Sequence, residues 1–506
     1  MSEVRLVETH ISWVLLTGQY VYKIKKPVLF SYFDFSTLEK RRRFCEEEIR
    51  LNRRLAPQLY LGVVSITGSS SNPRMDGDGI PIEWAVKMKQ FPPDQEFHHL
   101  LETGNLHESE VGQLAIDIGT FHCRIESAGD PFPYGEPDRV WGPIAECFED
   151  IPLAALPVQL QFYLKDIEEW TNQEWKRLKP KLRDRKSSGQ IRECHGDLHL
   201  GNIALFEGRI CVFDALEFEP ELRWIDVISE VAFLVMDLES RGRVDLAYWF
   251  LNCYLEVTGD YVGMCVFRLY EVYRALVRAK VAALRLDQVE PGNPVREDIL
   301  KEIIRYVELA HRLMLPSPPM LILMHGVSGT GKTTVSTEVV KALGVMRVRS
   351  DVERKRIHAE QRKTGTGQET LKRLYASDMN CDTYDRLWDL ANTMLQAGYS
   401  VVVDATFLEV AQRQSFIRLA QERHVSILIL DVWAPDEVLA ERIASRAKQQ
   451  TDASDATIGV MEQQKAKEEP LTELEQDMAI RVDSTDLQMF KSTINSLIEQ
   501  RKNPAN

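Results

Sequence analysis

Met320-Leu-Ile-Leu-Met-His-Gly326-Val-Ser328-Gly329-Thr330-Gly331-Lys332-Thr333-Thr334 is the stretch from which the rest of the sequence can be ordered. A short apolar run that follows prolines reads as a buried strand, the glycines break it, and a helix-period segment follows. G-x-x-x-x-G-K-T between a strand and a helix is a phosphate-binding loop. The glycines let successive N–H groups turn inward around the β- and γ-phosphates, and the helix adds the positive end of its dipole. Gly326, Ser328, Gly329, Thr330, Gly331, Lys332, Thr333 and Thr334 are therefore expected to hold nucleotide phosphates. Lys332 would neutralise their charge, and the Thr333 hydroxyl would face Mg²⁺.

Downstream, apolar strands alternate with helical segments, the pattern of a parallel α/β sheet. Val345–Arg349 reads as a strand that runs into Ser350, Asp351 and Arg354. Ser400–Val403 ends at Asp404, Ala405 and Thr406, which brings a carboxylate toward Thr333 to hold Mg²⁺ directly or through water. After a further strand over Val425–Val432, Arg442 and Arg446 lie four residues apart on one helical face, able to clamp a phosphate together. The polar run Gln449–Gly459 fits a lid. Arg354, Lys355, Arg356, His358, Arg362 and Lys363 form a basic stretch suited to an anionic acceptor, or else a charged exposed helix broken by Glu353 and Glu360.

These motifs resemble the P-loop kinases of the polynucleotide-kinase and zeta-toxin type over nearly all of residues 320–506. The resemblance implies Asp351 as general base on an acceptor hydroxyl, Arg354 as acceptor contact, and Arg442 and Arg446 on the transferring phosphoryl group. A nucleotide or a nucleic-acid 5′ end fits as acceptor. An oligomeric ATPase would need a water-orienting acid and an arginine from a neighbouring copy, for which the sequence has no second signature.

Leu315-Pro-Ser-Pro-Pro319 forbids helix and divides the chain. Upstream, His195-Gly-Asp197 with Asn202 is followed by a strand-like Arg209–Phe213 and then Asp214. An Asp and an Asn five residues apart on a tight loop can supply a base and a Mg²⁺ ligand, and a second Asp after the next strand can complete the metal site. The alternative, zinc on Cys194, His195 and His199, lacks a clustered fourth ligand. The loop resembles the signature of aminoglycoside phosphotransferases and related small-molecule kinases, which implies Asp197 as catalytic base and Asn202 and Asp214 as Mg²⁺ ligands. Such a kinase needs an earlier lysine and glutamate. Strand alternation puts Val21, Lys23 and Lys25 on one face, with Lys23 the first candidate and Lys25 the fallback; Phe44, Glu48, Leu51 and Leu55 share a helical face, so Glu48 points inward and needs a cation. The glycine-rich loop of protein kinases is missing, in keeping with the phosphotransferase type. Beyond Asp214, acids from Glu217 to Glu239 read as solvated helix faces, with Asp226 expected to fix the catalytic loop.

The expected fold is an α+β protein-kinase-like domain of the aminoglycoside phosphotransferase kind over residues 1–312, a proline-rich linker over 313–319, and an α/β P-loop kinase domain with a parallel sheet over 320–506. Each half is expected to use ATP and Mg²⁺, the first on a small hydroxylated molecule and the second on a hydroxyl acceptor. The alternative has one domain as a nucleotide-sensing regulator of the other. A net charge of -14 argues against a duplex-coating nucleic-acid binder. Eight scattered cysteines without a C-x-x-C pair fit a reduced, cytoplasmic protein, and no apolar run approaches a membrane span.

Overall fold

The computed structural model describes residues 4–9, 11–29, 34–129, 131–152, 156–363, 377–449, 457–486, 488, 490–492 and 494, with the backbone alone at 363, 377, 378 and 446–449. The chain divides into two compact units. The first comprises Met1–Arg241 and Val266–Met314; the second comprises Gly242–Cys265 together with the chain from Leu315 onward. The second unit thus resumes inside the proline-rich segment, and it also takes in a helix, Val244–Thr258, from the part of the sequence read as the N-terminal domain.

In the first unit, β1 (Arg5–Glu8), β2 (Ser12–Leu16), β3 (Tyr20–Lys25), β4 (Tyr60–Ser69), β5 (Asn72–Met75) and β6 (Glu83–Lys89) form an antiparallel sheet in the order β1-β2-β3-β6-β4-β5. Helix Leu38–Asn52, capped by the Thr37 side chain, lies on this sheet because Cys45 and Ile49 bury against Tyr60, Val86 and Met88. The remainder is mainly helical. Two short ribbons, β7 (Ile191–Glu193) with β10 (Trp224–Asp226) and β8 (Ile203–Phe206) with β9 (Arg209–Val212), frame the His195–Asn202 loop.

In the second unit, β11 (Met320–His325), β12 (Met346–Arg349), β13 (Val401–Asp404), β14 (Ser426–Trp433) and β15 (Ala479–Asp483) make a fully parallel sheet in the order β12-β13-β11-β14-β15. The phosphate-loop strand is central and buried from Leu321 to His325, as continuous apolar strands of parallel sheets must be. Gly326, Arg349 and Asp404 all emerge at the C-terminal edge of the sheet. No helix among the described residues is long and apolar enough to cross a membrane.

The acids beyond Asp214 depart from the sequence reading. Glu217, Glu230, Asp237 and Glu239 are buried rather than solvated; the last three lie on helix Val227–Ser240, which is enclosed nearly all round and has no solvated face to offer them. Burial pushes the Glu239 carboxyl up to about 7, although Arg312 pulls it down. An acid raised on folding adds stability that is complete below its unfolded pKa of ~4.3 and is lost as pH climbs through its folded value. Glu239→Gln is therefore expected to raise the thermal unfolding midpoint at pH 8, by a stabilisation of ~3 kcal/mol that shrinks toward pH 5. Calorimetry of both proteins at the two pH values checks this, and an equal change at both would exclude a titrating Glu239.

Candidate active sites

The first site is assembled around one buried carboxylate. Lys23 Nζ lies 3.0 Å from Glu48 Oε1 and 2.5 Å from Asp214 Oδ1. Lys25 Nζ lies 2.7 Å from Glu48 Oε2 and also pairs with Glu217. Burial opposes charge on Glu48, but the two ammonium groups outweigh it and hold the carboxyl at about 2. The lysines, both inward on β3, differ in surroundings: Lys25 is fully enclosed between two carboxylates, whereas Lys23 is 13% exposed and reaches Asp214. Lys23 is thus the one of the two that is open toward Asp214 and solvent.

Asp214 sits just after β9 with a left-handed φ of 64°, a conformation worth on the order of 1–3 kcal/mol in strain for a residue with a side chain. Its N–H donates to the Tyr60 hydroxyl at 3.1 Å, and the next N–H, of Ala215, donates to Asn52 Oδ1 at 2.9 Å. Asn52 belongs to the helix that carries Glu48, so one helix sets both the buried acid and the turn that presents Asp214.

The His195–Asn202 loop is held from inside. His195 Nε2 donates to the Phe213 carbonyl at 2.9 Å and its Nδ1 accepts the Asp197 N–H at 3.3 Å, while burial lowers the imidazole pKa, so the ring is neutral. With both ring nitrogens engaged, His195 offers no ring nitrogen for the zinc alternative. Gly196 has φ 92°, and a Cβ there would lie 2.8 Å from the Leu222 carbonyl oxygen. Its N–H donates to Glu230 Oε1 at 2.6 Å, Glu230 Oε2 meets His122 Nε2 at 2.7 Å, and Asp237 accepts the Leu200 N–H at 2.9 Å. Glu230 and Asp237 therefore fix the loop, a task the sequence reading gave to Asp226. Asp226 instead pairs with Arg185 at 2.5 and 2.7 Å and caps the helix that bears the other two. The missed signal was two acids seven residues apart, on one face of an apolar helix.

Asn202 Nδ2 donates to the Asp197 carbonyl at 3.0 Å and to Asp197 Oδ2 at 2.9 Å, which leaves the amide oxygen as a ligand atom. Burial raises the Asp197 carboxyl, but His199 at 3.4 Å and Arg278 outweigh it, so the group stays well below the usual carboxylate range and is ionised at neutral pH. The oxygens of Asn202 and Asp214 are hard donors that fit Mg²⁺.

The second site is a cleft of about 730 Å³ at the C-terminal edge of the parallel sheet. Lys332, Thr333, Asp351, Arg354 and Asp404 all line it, although they come from three different strand ends. Gly326 has φ 131° and a Cβ there would meet the Val432 carbonyl oxygen at 2.4 Å, so only glycine fits where the loop leaves the sheet. Ser328, Gly329 and Gly331 line the cleft, Thr330 ties the turn through its hydroxyl to the Val327 carbonyl at 3.0 Å, and Thr334 is exposed away from it. Asp404 Oδ2 accepts from Ser336 Oγ at 3.0 Å, which anchors the carboxylate to the helix that begins at Lys332. With the Thr333 hydroxyl, this oxygen pair also suits Mg²⁺.

Arg354 lies 3.4 Å from Asp351 Oδ1. Of the basic stretch, Arg354 alone among the described residues lines the cleft, and Arg356 is turned to Glu353 at 3.2 Å and to the Glu256 carbonyl at 2.9 Å. Arg442 does not line the cleft. It donates to the Thr330 carbonyl at 3.2 Å and to Ser484 Oγ at 2.8 Å, bracing the phosphate loop from outside. Arg446 falls on helix Asp436–Gln449 with its side chain outside the described residues, as are positions 450–456 of the expected lid. Two lining residues were missed in sequence, Tyr384 and Trp388 of helix Ser377–Gln396. Their spacing of four residues was the available signal, hidden by distance from the loop.

Lys23→Met and Lys25→Met should separate the two lysines. Lys25→Met leaves two carboxylates with too little positive charge in a sealed site and is expected to destabilise the first unit by about 3–5 kcal/mol. Lys23→Met keeps the Glu48–Lys25 pair, and its expected effect is loss of nucleotide affinity with the melting point largely retained. Thermal denaturation with and without Mg·ATP distinguishes them, and equal destabilisation by both would contradict the assignment.

A family model described as "Phosphotransferase enzyme family" matches residues 35–264, and one described as "AAA domain" matches residues 321–471. Uncharacterized protein Rv2004c of Mycobacterium tuberculosis and uncharacterized protein Mb2027c of Mycobacterium bovis are each 31% identical over 447 residues, covering 88% of this chain and 87% of theirs. Among solved structures, a putative kinase from Chloroflexus aurantiacus is 20% identical, covering 36% of this chain and 98% of its own with a TM-score of 0.30. Choline kinase from Cryptosporidium parvum is 10% identical, covering 62% of this chain and 90% of its own with a TM-score of 0.38.

Proposed function

We propose that this chain, which belongs to one family with the mycobacterial proteins and carries a phosphotransferase-type kinase domain ahead of a P-loop kinase domain, is an ATP-dependent phosphotransferase with two active sites. The observation that carries this reading is the gathering of Lys332, Thr333, Asp351, Arg354 and Asp404 in one cleft.

In the second unit, the N–H groups of the phosphate loop and Lys332 hold the ATP phosphates, and Thr333 and Asp404 provide the oxygens for Mg²⁺. When bound, the cation neutralises phosphate charge and so favours departure of ADP. Asp351 accepts the proton of the acceptor hydroxyl as its oxygen bonds to the γ-phosphorus and the bond to the β–γ bridging oxygen breaks. Arg354 orients both the acceptor and Asp351. A small acceptor suits this cleft better than a nucleic-acid end, since of the nearby basic stretch Arg354 alone among the described residues lines the cleft, and Arg356 faces Glu353 and the Glu256 carbonyl instead. Tyr384 and Trp388 offer ring faces on which a nucleoside or a sugar stacks.

In the first unit, Lys23 binds the nucleotide phosphates, Asn202 and Asp214 hold Mg²⁺, and Asp197 takes the proton from a small hydroxylated molecule. The low Asp197 pKa keeps the group ionised and ready to hydrogen-bond the attacking hydroxyl.

Transfer of label from γ-labelled ATP to a panel of nucleosides, sugars, aminoglycosides and 5′-hydroxyl oligonucleotides tests both assignments. One acceptor is expected to lose its label in Asp351→Asn and Lys332→Ala, and a different one in Asp197→Asn alone. Labelling of an oligonucleotide end that depends on Asp351 would overturn the small-acceptor reading. Labelling that survives all three substitutions would overturn the site assignment itself.

A further inference from the structure

β12 is an edge strand of the parallel sheet, and it delivers Arg349, Ser350 and Asp351 to the cleft. An open edge leaves backbone donors and acceptors without strand partners. Here the fully buried Asn252, on helix Val244–Thr258, takes the place of a neighbouring strand. Its Nδ2 donates to the Val345 carbonyl at 3.0 Å, and its Oδ1 accepts the Arg347 N–H at 2.6 Å. One turn further along the same helix, Glu256 Oε1 accepts from Arg347 Nε at 3.0 Å and from its terminal nitrogen at 2.7 Å, while Glu256 Oε2 meets Arg349 at 3.4 Å. The Glu256 carbonyl accepts from Arg356 at 2.9 Å, on the helix that begins with Ser350 and Asp351. Arg347, itself 2% exposed, also donates to Thr337 Oγ1 at 2.7 Å, on the helix that follows the phosphate loop.

A single residue thus grips the strand before Asp351, the helix after it and, through Arg347, the helix of the phosphate loop. Arg349 is the nearest of these groups to the chemistry, since it lines the cleft with Asp351. The Glu256 carboxylate pairs with its guanidinium, so this helix also bears on a cation that stands beside Asp351 in the cleft. Residues 244–258 match the phosphotransferase family model, yet their contacts with β12 and the phosphate-loop helix belong to the second unit.

We infer that Glu256 is a positioning residue of the P-loop site, so that a helix encoded within the first kinase domain's sequence sets the geometry of the second kinase's general base. The inference rests on the assignment of Asp351 as that base. It also implies that the second kinase is incomplete when cut at the proline linker.

The test uses the full chain with Glu256→Gln, Glu256→Asp and Asn252→Ala. Two readouts are taken: hydrogen exchange of the 346–354 segment, and the kinetics of label transfer to the acceptor found to depend on Asp351. Glu256→Gln is expected to accelerate exchange in that segment roughly tenfold or more while β11 and β13 stay protected. It should also lower kcat by roughly tenfold to a hundredfold, as small misplacements of a reacting group do, with a smaller change in the KM for ATP. Glu256→Asp should recover part of both, and Asn252→Ala should reproduce the exchange effect. Unchanged exchange in Glu256→Gln overturns the inference, whatever the kinetics show. Faster exchange with unaltered kcat in the folded protein overturns it too, because the contact would then be merely structural. If Asp351→Asn itself leaves transfer intact, the base assignment has failed, and the exchange readout alone decides whether Glu256 holds this strand end.

Discussion

A carboxylate removed from water must be met by a cation or by peptide N–H groups, because the penalty for leaving it bare is several kcal/mol, comparable to the whole stability of a domain. Much of this protein is arranged to meet that requirement. Glu48 lies between Lys23 and Lys25, Glu230 takes the N–H of Gly196 and the ring of His122, Asp237 takes the N–H of Leu200, and Glu256 takes two arginines. Each of these acids fixes a segment that carries a proposed catalytic or binding group. The structural charge network and the candidate active sites are therefore built from the same contacts. Removing one partner would leave a charge uncompensated and misplace a loop at the same time.

In the proposed function, the two units meet the demands of phosphate chemistry by different means. In the second, the backbone supplies most of the apparatus: a strand at the centre of a parallel sheet, a loop closed by glycines, and a helix whose first residue is Lys332. In the first, side chains do the corresponding work, with Lys23 on a strand, Glu48 on a helix and Asp214 on a strained turn brought together from three places. The strain at Asp214 persists because Tyr60 and Asn52 hold the turn from both sides, which over-determines a conformation the residue alone would avoid.

Legibility in sequence followed the range of the interactions. The phosphate loop and the His195–Asn202 loop are local, and their glycines, charged residues and flanking strands lie within a few residues of one another. The Lys23 and Glu48 faces were readable too, because strand and helix periods are fixed by backbone geometry. Asp226 was misplaced since its partner, Arg185, lies 41 residues away in the chain, and nothing local marks Glu230 rather than Asp226 as the neighbour of Gly196. Arg442 was read as a phosphate contact from its spacing to Arg446, whereas its neighbours are the carbonyls of the phosphate loop and Ser484. Spacing on a helix says which residues share a face, but not what that face meets.

By itself the sequence determined two kinase-type folds, their order and the make-up of their loops, since these depend on hydrogen-bond geometry and side-chain period within short segments. Tertiary structure alone decided which of two lysines reaches Asp214, which buried acids hold the His195–Asn202 loop, that Tyr384 and Trp388 face the cleft, and that helix Val244–Thr258 belongs with the parallel sheet. Those outcomes turn on which distant segments pack together. Such packing is settled by burial and charge compensation over the whole chain, and a window of neighbouring residues does not contain it.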